Sequence, residues 1–191
     1  VVVAPGSGNT KTYTTPAGIP VVDIDTANGA GLSHNKFTHY NVPAQGLVLN
    51  NTAPMQFTYP SQLAGSINVN FNTKSPAQVI LNEVVAPNAS TLAGFTEIVG
   101  GKADLVVANP YGIAIKGAGF INTDRVTLAT GTPVIGNGNL AGLSIAGGWV
   151  EAKLLEARGE MLGQLGGHVE GAAAPLRILG RVDDQPPRVQ V

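Results

Sequence analysis

Short apolar segments recur along this chain at intervals just above twenty residues, and no other feature limits its fold as strongly. Leu81 and Leu105 stand 24 residues apart, and Leu105 and Val126 stand 21 apart. Each belongs to a strand-like segment: Val79-Ile80-Leu81, Leu105-Val106-Val107, and Val126 with Leu128. Turn formers fill the intervals, Pro87-Asn88 and Gly100-Gly101 in the first, Asn109-Pro110 and Gly117 to Gly119 in the second. One strand set per period of this length is the signature of a solenoid, in which each coil touches only its neighbours. A β-sandwich, the other architecture open to such a chain, would space its strands by about 8–12 residues.

Alternation within the segments supports strands. Ile67, Val69 and Phe71 alternate with Asn68, Asn70 and Asn72, which predicts an apolar face and a polar one. Val126 and Leu128 alternate with Arg125, Thr127 and Ala129 in the same way. The continuous runs at residues 79–81 and 105–107 suit strands buried on both faces. Asn28-Gly29, lying between Val21-Val22-Asp23-Ile24 and Leu32, predicts a hairpin turn. Charged residues make up only 12% of the chain, about half the usual ~25% share. Long surface helices need charge on their wet face, so the expected class is all-β.

Residues 149–191 read differently. They hold 5 basic and 6 acidic residues, 11 of the 23 charges in the chain, and no Asn. Val150, Leu154, Leu155, Ala157, Met161, Leu162 and Leu165 fall near helical spacing, although Gly159 and Gly163 oppose a helix. The expected organisation is a β-domain over 1–148 and a charged tail over 149–191, a cap or irregular. Further, degenerate β-coils are the alternative for that tail.

Few residues suggest chemistry. With a net charge of −1, the chain shows no electrostatic footprint for nucleic acid or an anionic membrane. No apolar run reaches the ~20 residues of a membrane-spanning helix, and the absence of Cys removes disulfides and thiolate metal sites. His34 and His39 lie near metal-ligand spacing beside Ser33, yet no third ligand follows, which favours two polar residues at a strand end. The acids of residues 1–148 are Asp23, Asp25, Glu83, Glu97, Asp104 and Asp124. Asp23 and Asp25 share a strand face and could pair for acid–base work, as in a β-helix polysaccharide lyase or hydrolase. An exposed hairpin face accounts for them more simply. Gly6-Ser7-Gly8-Asn9-Thr10-Lys11 lacks the phosphate-loop spacing and a preceding strand. Asn50 and Asn88 fit the N-x-[ST] pattern, which is common by chance. The expectation is therefore a protein without catalytic site, metal or cofactor.

One constellation remains, Asn109-Pro110-Tyr111-Gly112-Ile113. Asn-Pro initiates turns, Pro110 fixes φ at the turn's second position, and Gly112 permits a positive φ. A rigid turn between coils is the plain reading, and a rigid exposed turn is also a good recognition element.

The stretch Ala108 to Ile113, followed by Gly117-Ala118-Gly119-Phe120-Ile121-Asn122-Thr123-Asp124-Arg125-Val126-Thr127-Leu128, resembles the two-partner secretion domain. That domain begins filamentous haemagglutinins and contact-dependent inhibition proteins. Three earlier segments agree in order: Gly31 to Asn35 with Phe37, Asn41 and Val42; Gly46 to Asn51; and Val79 to Val84. The likeness covers about residues 15–135 and fades beyond Leu140. It implies a right-handed parallel β-helix with N-terminal hairpins capping its open end. It also implies a secreted or cell-surface exoprotein that crosses the periplasm, is bound there by the POTRA domains of its outer-membrane transporter barrel, and leaves through that barrel. A host or bacterial cell-surface receptor would be met by the full-length protein. The family's Asn-Pro-Asn-Leu motif falls at Asn70-Phe71-Asn72-Thr73, where both Asn remain and Pro and Leu are replaced. The two Cys common in the family fall at Ile115 or Lys116 and at Ala118, so the chain resembles the cysteine-free members. The resemblance thus assigns transporter recognition to Asn109, Pro110, Tyr111, Gly112 and Ile113, with Asn70 and Asn72. A self-sufficient glycan- or surface-binding adhesin module is the alternative from another class.

Overall fold

The computed structural model describes residues 1–145 and the backbone of the strands Trp149–Lys153, Leu176–Leu179 and Arg181–Val182. Every regular element among them is a β-strand. Three parallel sheets carry the chain. The long sheet stacks Leu32–His39, Val79–Val84, Ala103–Ala108, Thr123–Ala129 and Leu176–Leu179. A second sheet stacks Pro20–Asp23, Leu47–Asn51, Phe95–Gly100 and Gly119–Ile121. A third stacks Ser90–Leu92, Ile113–Lys116, Trp149–Lys153 and Arg181–Val182. The chain visits the long, third and second sheets in turn, then returns to the long sheet one rung on. That path is a three-sided coil, not a sandwich. Among the described residues, only the first rungs of these sheets carry antiparallel neighbours: Val2–Val3 on Leu32–His39, and Lys11–Thr14 on Pro20–Asp23.

Register explains the twenty-odd-residue period and refines it. Ile80, Leu105 and Val126 lie in line across the long sheet, all with side chains in the inner core. Leu81 pairs with Val106 instead and faces the other way. It is nonetheless fully buried, because a hairpin of Gly131–Gly136 and Asn139–Ile145 lays Leu140 and Leu143 over Leu32, Leu81, Val106 and Ala108. On the second sheet a hairpin of Thr58–Ser61 and Gly65–Asn68 does the same. Its Tyr59 and Ile67, with Leu63 and Ala64 of the connecting turn, pack on Val21, Val48 and Val99. Sheets covered on both faces need apolar residues at successive positions, hence the continuous runs. These two hairpins are antiparallel excursions, so residues 40–145 are coils with two inserted covers.

Two local expectations fail. Asn28-Gly29 is not a hairpin turn, since Pro20–Asp23 belongs to the second sheet and Leu32–His39 to the long one. The chain turns a corner there, with Gly31 N–H donating to the Asn28 carbonyl at 2.9 Å and a φ of 79° at Gly31. The alternation over residues 67–72 breaks after Val69. The strand ends at Asn68, Asn70 is fully buried, and Phe71 points into solvent.

Beyond residue 148, three described strands extend the long and third sheets. Val150 therefore lies in a strand, not in a helix. The rest of the helical pattern, from Leu154 to Leu165, lies outside the described residues.

Candidate functional site

Parallel coils leave carbonyl and N–H groups unpaired at each corner, where no neighbouring strand reaches them, and buried groups of that kind need partners. Asn supplies them here. At the end of Ala103–Ala108 the Asn109 side chain is fully buried. Its Nδ2 donates to the Asn88 carbonyl and to Ser90 Oγ, both at 2.9 Å and both on the preceding coil. Its Oδ1 accepts the Tyr111 N–H at 2.9 Å, and its carbonyl accepts the Gly112 N–H at 3.2 Å. Its own N–H donates to the Ala129 carbonyl of the following coil at 2.8 Å. One residue thus closes a β-turn and ties three coils together. Pro110 holds the turn's second position, and Gly112 takes a φ of 116°. Ile113 enters the inner core, while the Tyr111 side of the turn stays 44% exposed.

The Asn70-Phe71-Asn72-Thr73 segment repeats this geometry without its Pro. Asn70 Nδ2 donates to the Ile24 carbonyl at 2.9 Å and the Asn50 carbonyl at 3.0 Å. Its Oδ1 accepts the Asn72 N–H at 3.0 Å, and its carbonyl accepts the Thr73 N–H at 3.3 Å. Asn72 Nδ2 reaches the Asn9 carbonyl at 2.7 Å, and Thr73 Oγ1 donates to the Thr52 carbonyl. The two turns occupy different corners. Asn109 sits between the long and third sheets, and Asn70 lies where the second-sheet hairpin leads back towards the long sheet.

The other candidates stand apart. His34 Nε2 meets Glu83 Oε2 at 2.7 Å across adjacent rungs, whereas His39 contacts the Thr38 hydroxyl. Among the described residues no group of three or more His, Cys, Asp or Glu stands close enough to hold a metal. Asp23 and Asp25 have separate partners. Asp23 accepts from Asn50 Nδ2 at 2.7 Å, while Asp25 Oδ1 accepts the Asn9 and Thr26 N–H groups. Burial raises the Asp23 carboxyl above its ordinary value, against the lowering effects of Asn50 and Lys11.

Sequence reasoning passed over Glu97. Its carboxylate is 4% exposed and accepts Ser61 Oγ at 2.6 Å, Gln62 N–H at 2.8 Å and Leu63 N–H at 3.0 Å. The signal available was an acid flanked by Thr96 and the apolar pair Ile98-Val99, a place in a strand where a buried carboxylate must find donors. Glu97 therefore clasps the second-sheet hairpin. Glu97→Ala is expected to cost about 3 kcal/mol, since bonds to a charged acceptor contribute about 1.5–3 kcal/mol each and part of the loss is recovered from water. Hydrogen exchange should show the amides of Gln62 and Leu63 opening while those of Leu105 and Val107 stay protected. Equal acceleration in both places would refute a local clasp.

The sequence model of the TPS secretion domain family matches residues 1–187. The chain belongs to that family. It is 51% identical over 134 residues to the tRNA nuclease CdiA of Escherichia coli strain STEC_O31, covering 69% of this chain and 4% of the relative. It is 45% identical over 148 residues to the hemolysin of Serratia marcescens, covering 77% of this chain and 9% of the relative. The crystal structure of the filamentous hemagglutinin secretion domain superposes with a TM-score of 0.72 at 36% identity, covering 79% of this chain and 49% of that one. The TPS secretion domain is thus an all-β, parallel-sheet domain matching a β-helix, and it belongs to exoproteins that are secreted or surface-exposed. The family model's match extends to residue 187, beyond the Leu140 at which the resemblance read from the sequence fades.

Proposed function

We propose that this chain is the secretion-signal domain of a large exported exoprotein, bound in the periplasm by the POTRA domains of a dedicated outer-membrane barrel and exported through it. The family match over residues 1–187 carries this reading, because a TPS secretion domain implies a transporter partner. The chain spans only 4–9% of the toxins and the hemolysin it matches. The nuclease and haemolytic activities in their names are therefore proposed to reside outside the matched segment, with the domain itself non-catalytic. A right-handed coil is the expected hand, since strand–crossover–parallel strand connections are right-handed in about 98% of cases. The Val2–Val3 and Lys11–Thr14 strands then serve as the cap of the first coil, blunting edges that would otherwise pair with other chains. The division at residue 148 is retained as a change in composition, with the coil path continuing across it.

The test is export of the full-length exoprotein from cells with and without the cognate barrel, alongside binding of the purified chain to the barrel's periplasmic domains. Export only with the barrel, and saturable binding, are expected. Export without the barrel, or binding to glycans and not to the periplasmic domains, would replace this reading with that of a self-sufficient adhesin module.

A further inference from the structure

The chain contains two Asn-Gly dipeptides, Asn28-Gly29 and Asn137-Gly138. Such a pair can react with itself, because the glycine nitrogen, unshielded by any Cβ, can attack the neighbouring carboxamide carbon. The fold treats the two pairs in opposite ways. At Asn28, Oδ1 accepts the Ala30 N–H at 2.9 Å and the Leu32 N–H at 3.1 Å, and Nδ2 donates to the Gly138 carbonyl at 2.6 Å. Three bonds fix that carboxamide.

Asn137 stands at the tip of the hairpin of Gly131–Gly136 and Asn139–Ile145, and it is exposed. Its carboxamide has no hydrogen-bond partner among the described residues. Gly136 and Asn139 form the last pair of the ladder, so the Gly138 N–H lies outside it. Carboxamide and nucleophile are both free at the tip, whereas the carboxamide is tied at the corner.

We propose that Asn137 is a site of spontaneous covalent modification, at which the Gly138 nitrogen closes a succinimide ring, and that Asn28 is spared. The bond from the Gly138 nitrogen to Asn137 Cγ forms as the Cγ–Nδ2 bond breaks. Ammonia leaves, taking the proton of the Gly138 N–H. Water then opens the ring at either carbonyl, giving an aspartyl or a β-aspartyl linkage. The net exchange is ammonia out and water in, with no oxidant or reductant.

The β-aspartyl linkage routes the main chain through the side chain and adds Cβ to it. A tight hairpin turn fixes the register of its strands, so the added atom displaces Gly138, whose carbonyl is the acceptor for Asn28 Nδ2. That bond fastens the hairpin tip to the corner before Leu32–His39, and the hairpin covers Leu32, Leu81 and Val106. Modification at Asn137 therefore loosens the cover and leaves the coils beneath in place.

The experiment incubates the folded 191-residue chain in mildly alkaline buffer, which favours loss of the attacking N–H proton, beside a sample unfolded in urea. Peptide mapping by mass spectrometry reads the amide-to-acid exchange at each Asn, and electron-transfer fragmentation separates aspartyl from β-aspartyl products. In urea, Asn28 and Asn137 are expected to react at similar rates, since glycine follows both. In the folded chain Asn28 is expected to react at least about tenfold more slowly than Asn137, because one or two ordinary hydrogen bonds must break before attack. Hydrogen exchange of the β-aspartyl form should be faster over Gly131–Gly136 and Asn139–Ile145 and unchanged at Leu105 and Val107. Asn137→Asp, which adds the charge but keeps the ordinary main chain, is expected to exchange like the wild type. Equal rates at Asn28 and Asn137 in the folded chain would overturn the proposal, as would an Asn137 that reacts in urea and stays intact when folded. Unchanged exchange in the hairpin of the β-aspartyl form, or equal loosening by Asn137→Asp, would overturn the link between the added main-chain atom and the cover.

Discussion

Gly100→Ala is expected to lower the melting temperature by about 10 °C, one of the largest effects of any single methyl added to this chain. Gly100 ends the Phe95–Gly100 strand with a φ of 98°, in the region that L side chains rarely adopt. A Cβ placed there would stand 2.4 Å from the Asn51 carbonyl oxygen and 2.8 Å from Thr52 Cα, both of them backbone. The left-handed conformation alone costs about 1–2 kcal/mol, and forcing a packed backbone apart adds about 1–3 kcal/mol. The displaced carbonyl also holds the Gly101 N–H, and the Asn51 carboxamide beside it bridges Ala77 and Gly101. A total of about 3–4 kcal/mol corresponds to a shift of about 6–16 °C for a domain of this size. Gly18→Ala is the control. It has a φ of 81° but nothing within 4 Å of a Cβ, so only the conformational part, about 1–2 kcal/mol, should appear. Thermal unfolding followed by circular dichroism reads both, and a Gly100→Ala protein that melts no lower than Gly18→Ala would show that the corner yields.

The coil architecture was legible in the sequence because its cause is local. Each crossing of the long sheet needs an inward residue at a fixed phase, and Ile80, Leu105 and Val126 supply it. The choice between Ile80 and Leu81 was not legible, since covers on both faces make the two equally apolar. The same ambiguity affected the Asn-Gly dipeptides. Asn137-Gly138, with φ values of 51° and 76°, is a true two-residue hairpin turn between paired Gly136 and Asn139. Asn28-Gly29 has the same letters, but the strands flanking it are claimed by different sheets, and Asn28 Oδ1 accepts the Ala30 and Leu32 N–H groups instead. Identity of a turn dipeptide cannot outweigh pairing partners that arrive from other coils. The motif turn at Asn109 was legible as a turn, because Pro110 and Gly112 state its backbone shape directly. The burial of its Asn was not legible, since an Asn in a turn reads the same whether its carboxamide meets water or a neighbouring coil.

Asn70→Ala is expected to destabilise the chain by about 3–4 kcal/mol, at least as much as Asn109→Ala, although no proline follows Asn70. A proline preset for a turn contributes about 0.4–1 kcal/mol, mainly by restricting the unfolded chain. A buried group left without its partner costs about 1–3 kcal/mol. The Asn side chain therefore outweighs the missing ring. Each Asn provides three side-chain bonds, but their replacements differ. Without Asn109, the Ser90 hydroxyl oxygen and the part-buried Asn88 carbonyl each lose a donor, and the Tyr111 N–H loses its acceptor in a turn whose Tyr111 is half-exposed. Without Asn70, two backbone carbonyls, of Ile24 and Asn50, lose a donor deep in the fold, and neither can turn away. The backbone bonds of Asn70 to the Thr52 and Thr73 hydroxyls survive the substitution, so the loss is confined to the three bonds of the carboxamide. Urea unfolding of the two variants under the same conditions gives the comparison. A midpoint for Asn70→Ala well above that of Asn109→Ala would mean that the Asn109 carboxamide, and not that of Asn70, holds more of the fold.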